Sequence, residues 1–219
     1  MKSNMSNILI LGCSYTQGHT HPYENSWSWC LSKRHPHLNF LDYSKGGSSV
    51  QWAAHCLECV SADYTIAQYT SPFRLSLWPE DWQQIAQHRK QRSHNYNTWD
   101  SDSLELDCVF ASSGWLGTPR FGWPGNSEPL VPFVREYFTQ LPSHLHTINY
   151  QGVVEQLHQR VDFGFKWSNE DPLDVVSAED NITDWSELMI DDYYHLGVEG
   201  SERVADWIEK DFLIPNGII

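Results

Sequence analysis

Two hydrophobic periods alternate along the first 70 residues. Ile8-Leu9-Ile10-Leu11 is an unbroken aliphatic run between a polar start and Gly12, and it reads as a buried strand. Trp27 with Cys30 or Leu31 gives an inward face to a short helix reaching about Ser32, with Asn25 or Ser26 as its cap. Leu38–Tyr43 predicts a second strand, and Ser44-Lys45-Gly46-Gly47-Ser48-Ser49 a flexible turn after it. Val50, Ala53, Ala54, Leu57 and Val60 recur at helical spacing over about 50–61. Asp63–Thr70 predicts a third strand, ended by Ser71-Pro72. Strand–helix–strand–helix–strand with turns at equivalent ends implies a parallel sheet with helices on its faces.

Beyond residue 70 the rhythm loosens. A helix is expected over about Glu80–Arg92, then an elaborated connection over about 93–130 containing a short strand near Leu104–Phe110. That segment carries Tyr96, Trp99, Trp115 and Trp123 among Asn, Ser, Gly and Pro, and long connections of this kind often cover a site. Helices follow at 131–140 and about 149–160, a fourth strand at Val161–Trp167, and an acidic, weakly patterned stretch at 168–187. The last helix is expected at Gly200–Leu213, with Val204, Ala205, Ile208 and Phe212 inward and Glu202, Arg203, Asp206, Glu209 and Lys210 toward water. No repeat or interdomain linker is visible, and 219 residues suit a single domain with its own core.

Charge narrows the partners. With 28 acidic residues against 14 basic ones, the net charge of −14 repels phosphate backbones and anionic lipid. Neither nucleic acid nor membrane is therefore expected as a partner. The apolar run at Ile8–Leu11 is too short for a signal-peptide core or a spanning helix, which makes the cytoplasm the expected location. The five scattered cysteines suit free thiols, and Cys56-Leu57-Glu58-Cys59 has no second cysteine pair to complete a zinc or redox site. No metal or cofactor is expected. Eleven tryptophans are a surplus that either plugs the core over a small sheet or lines a binding surface.

Chemistry is carried by three blocks. Gly12-Cys13-Ser14-Tyr15-Thr16-Gln17-Gly18 places Ser14 at a strand-to-turn junction, where a hydroxyl is exposed beside backbone amides. Gly47 follows the second strand as Ser14 follows the first. In Asp191-Asp192-Tyr193-Tyr194-His195, Asp192 and His195 are three apart, so a helical turn would put both on one side. The carboxylate could then orient an imidazole able to deprotonate Ser14. Each block also has a plainer reading, as loop cap, turn glycine and surface capping pair.

Together the blocks resemble the SGNH (GDSL-type) hydrolase superfamily, over about 7–70 and 188–213. The resemblance implies a flavodoxin-like, three-layer α/β/α sandwich around a mostly parallel sheet. It implies Ser14 as nucleophile and Gly47, with Gly46 as rival, as an oxyanion-hole donor beside the Ser14 amide. It implies Asp192 and His195 as the remaining catalytic pair, with Gly200 opening the last helix. Two positions depart from the family pattern. Cys13 replaces the aspartate of the first block, which also raises a thiol nucleophile as an alternative. Gln68-Tyr69-Thr70-Ser71 stands where Gly-x-Asn-Asp is usual, so Thr70 takes the position of the oxyanion asparagine. Gln68 and Arg74 are candidate substrate contacts, Arg74 for an acidic group. The expected activity is hydrolysis of a small acyl ester, such as an acetyl ester of a carbohydrate. The alternatives are acyl transfer to a hydroxyl acceptor, and a non-catalytic binding or structural role on a retired scaffold.

Overall fold

The structure is a computed structural model that describes residues 5–17, 26–45, 47–72, 74–77, 109–112, 120–121, 143–169, 171, 173–189 and 195–219. Its centre is a parallel sheet in the order β2-β1-β3-β7, from β1 (Asn7–Leu11), β2 (Asn39–Asp42), β3 (Tyr64–Tyr69) and β7 (Phe163–Lys166). Ile8 to Leu11 are fully buried because helices flank both sides of β1, which explains an aliphatic run without alternation. Ile8 and Ile10 join one core with α2 (Trp27–Arg34) and α6 (Val198–Ile208). Leu9 and Leu11 join a second core with α3 (Val50–Cys59) and α4 (Ser143–His158). One strand therefore sends alternate residues into two separate apolar layers. The fold is α/β, with a central parallel sheet and flanking helices, as the periodicities predicted.

The described tryptophans settle into those layers. Trp27, Trp52, Trp167, Trp185 and Trp207 are all buried. Phe163 packs on Trp207 and Phe212, and Phe165 on Trp27 and Trp207, at centroid distances of 5.2–6.0 Å. At these positions the aromatic surplus fills core, as plugs over a small sheet.

Several boundaries differ from expectation. Ser26 caps α2 by accepting from the Trp29 amide at 3.2 Å, and the helix runs two residues past Ser32, ending at Arg34. Helix α4 starts at Ser143, six residues before the predicted 149; its added turn leaves Leu145 and Ile148 exposed, so no apolar face announced it. Helix α6 starts at Val198 rather than Gly200, and a π-helical turn, Glu209–Leu213, continues it. Within the acidic 168–187 stretch lie a short helix α5 (Ala178–Asn181) and a 3-10 turn at Trp185–Leu188. A second, antiparallel sheet was missed: β4 (Arg74–Leu77), β5 (Val109–Ser112) and β6 (Arg120–Phe121). Its strands are four, four and two residues long, too short for a period to stand out. The strand expected near Leu104–Phe110 emerges here as β5. The helices expected at 80–92 and 131–140, and most of 93–130, lie outside the described residues.

One buried polar knot fixes the end of β2. The Asp42 carboxylate, 2% exposed, accepts from Ser28 Oγ on α2 and from both the amide and the hydroxyl of Ser44, while Ser26 and Ser28 are 3.0 Å apart. This satisfies the carboxylate and ties the helix start to the turn that leads to Gly47. Asp42→Ala leaves those donors buried without an acceptor. It is expected to lower unfolding free energy by about 2 kcal/mol, read from the midpoint shift in a urea titration.

Candidate functional site

Strand register decides which residues meet. Leu11 pairs with Ala67, so Ser14 and Thr70, each three residues further on, leave the same edge of the sheet side by side. Lys166 pairs with Tyr69 and brings Trp167 to that edge as well. The Ser44–Ser49 turn arrives from β2: Ser48 Oγ donates to Gly12 carbonyl at 2.7 Å, and the Lys45 amide to the same oxygen at 3.3 Å. The carboxyl ends of parallel strands are where an α/β fold opens its crevice.

Ser14 begins a single helical turn, α1 (Ser14–Gln17), where the sequence suggested an open turn. The reason is Thr16, whose amide donates to the Cys13 carbonyl at 3.1 Å while its side chain folds against Gly12. A Cβ on Gly12 would stand 2.1 Å from Thr16 Oγ1, so only glycine admits this turn.

Gln68 anchors the turn from below. Its Oε1 accepts from Cys13 N at 3.4 Å, Cys13 Sγ at 3.3 Å and Thr16 Oγ1 at 3.2 Å, and its Nε2 donates to the Tyr69 carbonyl. The side chain is 2% exposed. Gln68, expected as a substrate contact, is thus a positioning residue whose polar atoms are spent inside the protein. Cys13 is fully buried with its sulfur turned to the same amide, which leaves it no path to act as the nucleophile.

His195 comes from a different part of the chain. Met189 bridges to Leu196 in antiparallel fashion and the Gly197 amide donates to the Leu188 carbonyl at 3.0 Å, drawing these two stretches together just before α6. This sets His195 Nε2 at 3.3 Å from Ser14 Oγ. At that distance the hydroxyl can donate to the ring nitrogen when the proton of the neutral imidazole is on Nδ1. Asp192 and its neighbours Asp191, Tyr193 and Tyr194 lie outside the described residues.

The other expected members occupy the same rim. Gly47 has φ of +81°, in the left-handed region that disfavours any side chain. Gly46 lies outside the described residues. Thr70 is 3% exposed and its buried Oγ1 has no hydrogen-bond partner among the described residues, an uncommon state for a hydroxyl. Arg74 opens β4, donates to the Ser48 carbonyl at 3.4 Å and lies 5.8 Å over the Tyr15 ring.

Two aromatic residues were not foreseen as part of the site. Tyr15 stacks on Trp167, with centroids 5.2 Å apart and planes 5° from parallel, and meets the His195 ring at 5.1 Å. Trp185 braces Trp167 edge-on at 5.0 Å. The imidazole therefore lies against a layered aromatic wall. The wall's signal in the sequence was the tyrosine directly after Ser14 and the tryptophan closing the fourth strand. Among the described residues no group of three His, Cys, Asp or Glu side chains is arranged to hold a metal ion, and no helix is long and apolar enough to cross a membrane.

No family model matches the chain, and no curated protein matches it. Among solved structures it is similar to the psychrotrophic esterase EstA from Pseudoalteromonas sp., inhibited there by monoethylphosphonate, at 11% identity. That alignment covers 97% of this chain and 98% of that one, with a TM-score of 0.48. It is also similar to a member of the lipolytic protein G-D-S-L family from Veillonella parvula, at 14% identity over 94% and 97% of the two chains, with a TM-score of 0.39. Likenesses with identities and TM-scores this low carry no argument for a shared activity.

Gln68→Leu keeps the volume and removes the acceptor shared by three donors. The variant is expected to lose about 1–3 kcal/mol of stability in urea. It is also expected to exchange the Cys13 amide hydrogen faster than wild type, as measured by hydrogen–deuterium exchange with mass spectrometry.

Proposed function

We propose that this chain is a serine hydrolase of the SGNH type, a three-layer α/β/α sandwich in one domain, that cleaves a small acyl ester. The observation that carries the reading is the 3.3 Å separation of Ser14 Oγ and His195 Nε2, with the nucleophile at the carboxyl edge of a parallel sheet. The order β2-β1-β3-β7 and the helices on both faces agree with that architecture.

In the proposed cycle Ser14 Oγ attacks the ester carbonyl carbon while its proton passes to His195 Nε2. The Asp192 carboxylate orients the imidazole and balances its charge. The carbonyl oxygen becomes an oxyanion held by the backbone N–H groups of Ser14 and Gly47 and by Thr70 Oγ. Ser14 suits this role as the first residue of a helical turn, whose leading amides have no intrahelical acceptor. Thr70 suits it because its buried hydroxyl has no described partner to give up. The bond to the alcohol oxygen then breaks, and His195 returns the proton to that oxygen. Water repeats the sequence on the acyl-enzyme and releases the acid. Tyr15 and Trp167 keep the imidazole from swinging away between the steps.

A fluorophosphonate probe is expected to add one phosphonyl group to Ser14, mapped by peptide mass spectrometry. Ser14→Ala should not label, and His195→Ala should label about 10³-fold more slowly or worse. Thr70→Val, nearly isosteric, is expected to lower kcat on a short aryl ester by about 10²-fold with little change in KM, the signature of a lost transition-state donor. A wild-type protein that neither labels nor turns over such esters, or that labels at another residue, overturns the reading.

A further inference from the structure

The chain carries 28 acidic residues against 14 basic ones, so a guanidinium has many carboxylates available to pair with. Arg34 pairs with Asp206 and Glu209, Arg160 with Glu58, and Arg203 with Glu199. Arg74 differs. It forms no ion pair with any described carboxylate, and its one hydrogen bond to a described residue is a long one, 3.4 Å, from Nη1 to the Ser48 carbonyl. A guanidinium has five N–H donors in a planar fork, so most of its hydrogen-bonding capacity is unspent within the described protein.

Its position gives that capacity a use. Ser48 adjoins Gly47, and Tyr15, the ring beneath the guanidinium, adjoins Ser14 and touches the His195 ring. Arg74 therefore stands at the rim between the nucleophile turn and the glycine turn, tethered on two sides. The carbonyl and the aromatic face hold the group without neutralising it. A buried donor, Tyr150, also feels the Arg74 charge. Tyr150 is 3% exposed with its hydroxyl unpartnered among the described residues. Burial first, then the Asp171 carboxylate, Cys13 and Tyr69, hold its phenol well above the ordinary range, and Arg74 is the cation that pulls the other way.

We infer that Arg74 is a specificity-determining residue that pairs with a carboxylate carried by the ester, so that the preferred substrate of this site is an anionic ester. The inference rests on the hydrolase reading and adds the chemical class of substrate. The pairing is a charge-assisted, fork-shaped contact that a neutral ester cannot make. In a protein of net charge −14 it also supplies a local attraction for a substrate that the rest of the surface repels.

Two pairs of esters test it and locate the charge. Para-acetoxybenzoate against its methyl ester places the carboxylate on the alcohol half. Mono-para-nitrophenyl adipate against para-nitrophenyl hexanoate places it on the acyl half. Wild type is expected to prefer the charged member of one pair by about tenfold or more in kcat/KM, the worth of one charge-assisted hydrogen bond. The pair that shows the preference tells which half faces Arg74. In Arg74→Gln the ratio of charged to neutral kcat/KM should fall toward one, in Arg74→Lys it should fall part way, and in Arg74→Glu it should drop below one. The wild-type preference should also shrink between about 0.05 and 0.5 M salt, a test that stands even where a variant fails to fold. Equal wild-type rates within each pair, a preference that persists in Arg74→Gln, or one insensitive to salt overturns the inference while leaving the hydrolase reading in place. Absence of turnover together with absence of fluorophosphonate labelling removes the hydrolase reading, and this inference with it.

Discussion

A single amide oxygen holds the site together. Gln68 Oε1 receives the backbone amide and thiol of Cys13 and the hydroxyl of Thr16, so the turn bearing Ser14 is bolted to β3 rather than suspended from β1 alone. Because β3 also delivers Thr70, Ser14 and the hydroxyl beside it are fixed to one strand. The glycine turn is joined to the same block through Ser48 and Lys45 on the Gly12 carbonyl. Three loops from three strands thus behave as one body, which is what a site needing sub-ångström placement requires. The energy involved is modest for each bond, yet the donors are buried, so losing the acceptor costs more than the bond itself was worth.

The imidazole side is built by different means. His195 reaches Ser14 through its Nε2, at 3.3 Å, and lies against an aromatic wall. The Met189–Leu196 bridge beside it and ring packing against Tyr15, which is backed by Trp167 and then Trp185, help to hold it. Polar bonds hold the Ser14 turn, and aromatic surfaces line the His195 side. The division has a physical logic. A stacked wall restrains a ring without occupying the nitrogen lone pair through which an imidazole accepts a proton.

Much of this was legible from the residues. The buried run at Ile8–Leu11, the helical face over Val50–Val60 and the strand before Thr70 were strong periodic signals, and they carried the parallel sheet. Of the residues those blocks singled out, Ser14 and His195 come within 3.3 Å and Thr70 lies level with Ser14 in the strand register, while Asp192 lies outside the described residues. What was not legible depended on side-chain direction. Gln68 lies in a strand, where successive residues face opposite ways, and only the register shows that its amide turns under the serine turn. The second sheet escaped because its strands are too short for a period. The stacking of Tyr15 on Trp167 joins residues 152 positions apart, the difference between 167 and 15, which no local pattern encodes.

The hydroxyl and the imidazole are separated by 181 positions along the chain. Nothing nearby in sequence can pre-assemble them, and closing so wide a loop carries an entropic toll that only docking of α6 against α2 and the sheet repays. The approach of the two groups is therefore a property of the finished globule, and an incomplete or partly unravelled chain keeps the serine without the imidazole beside it.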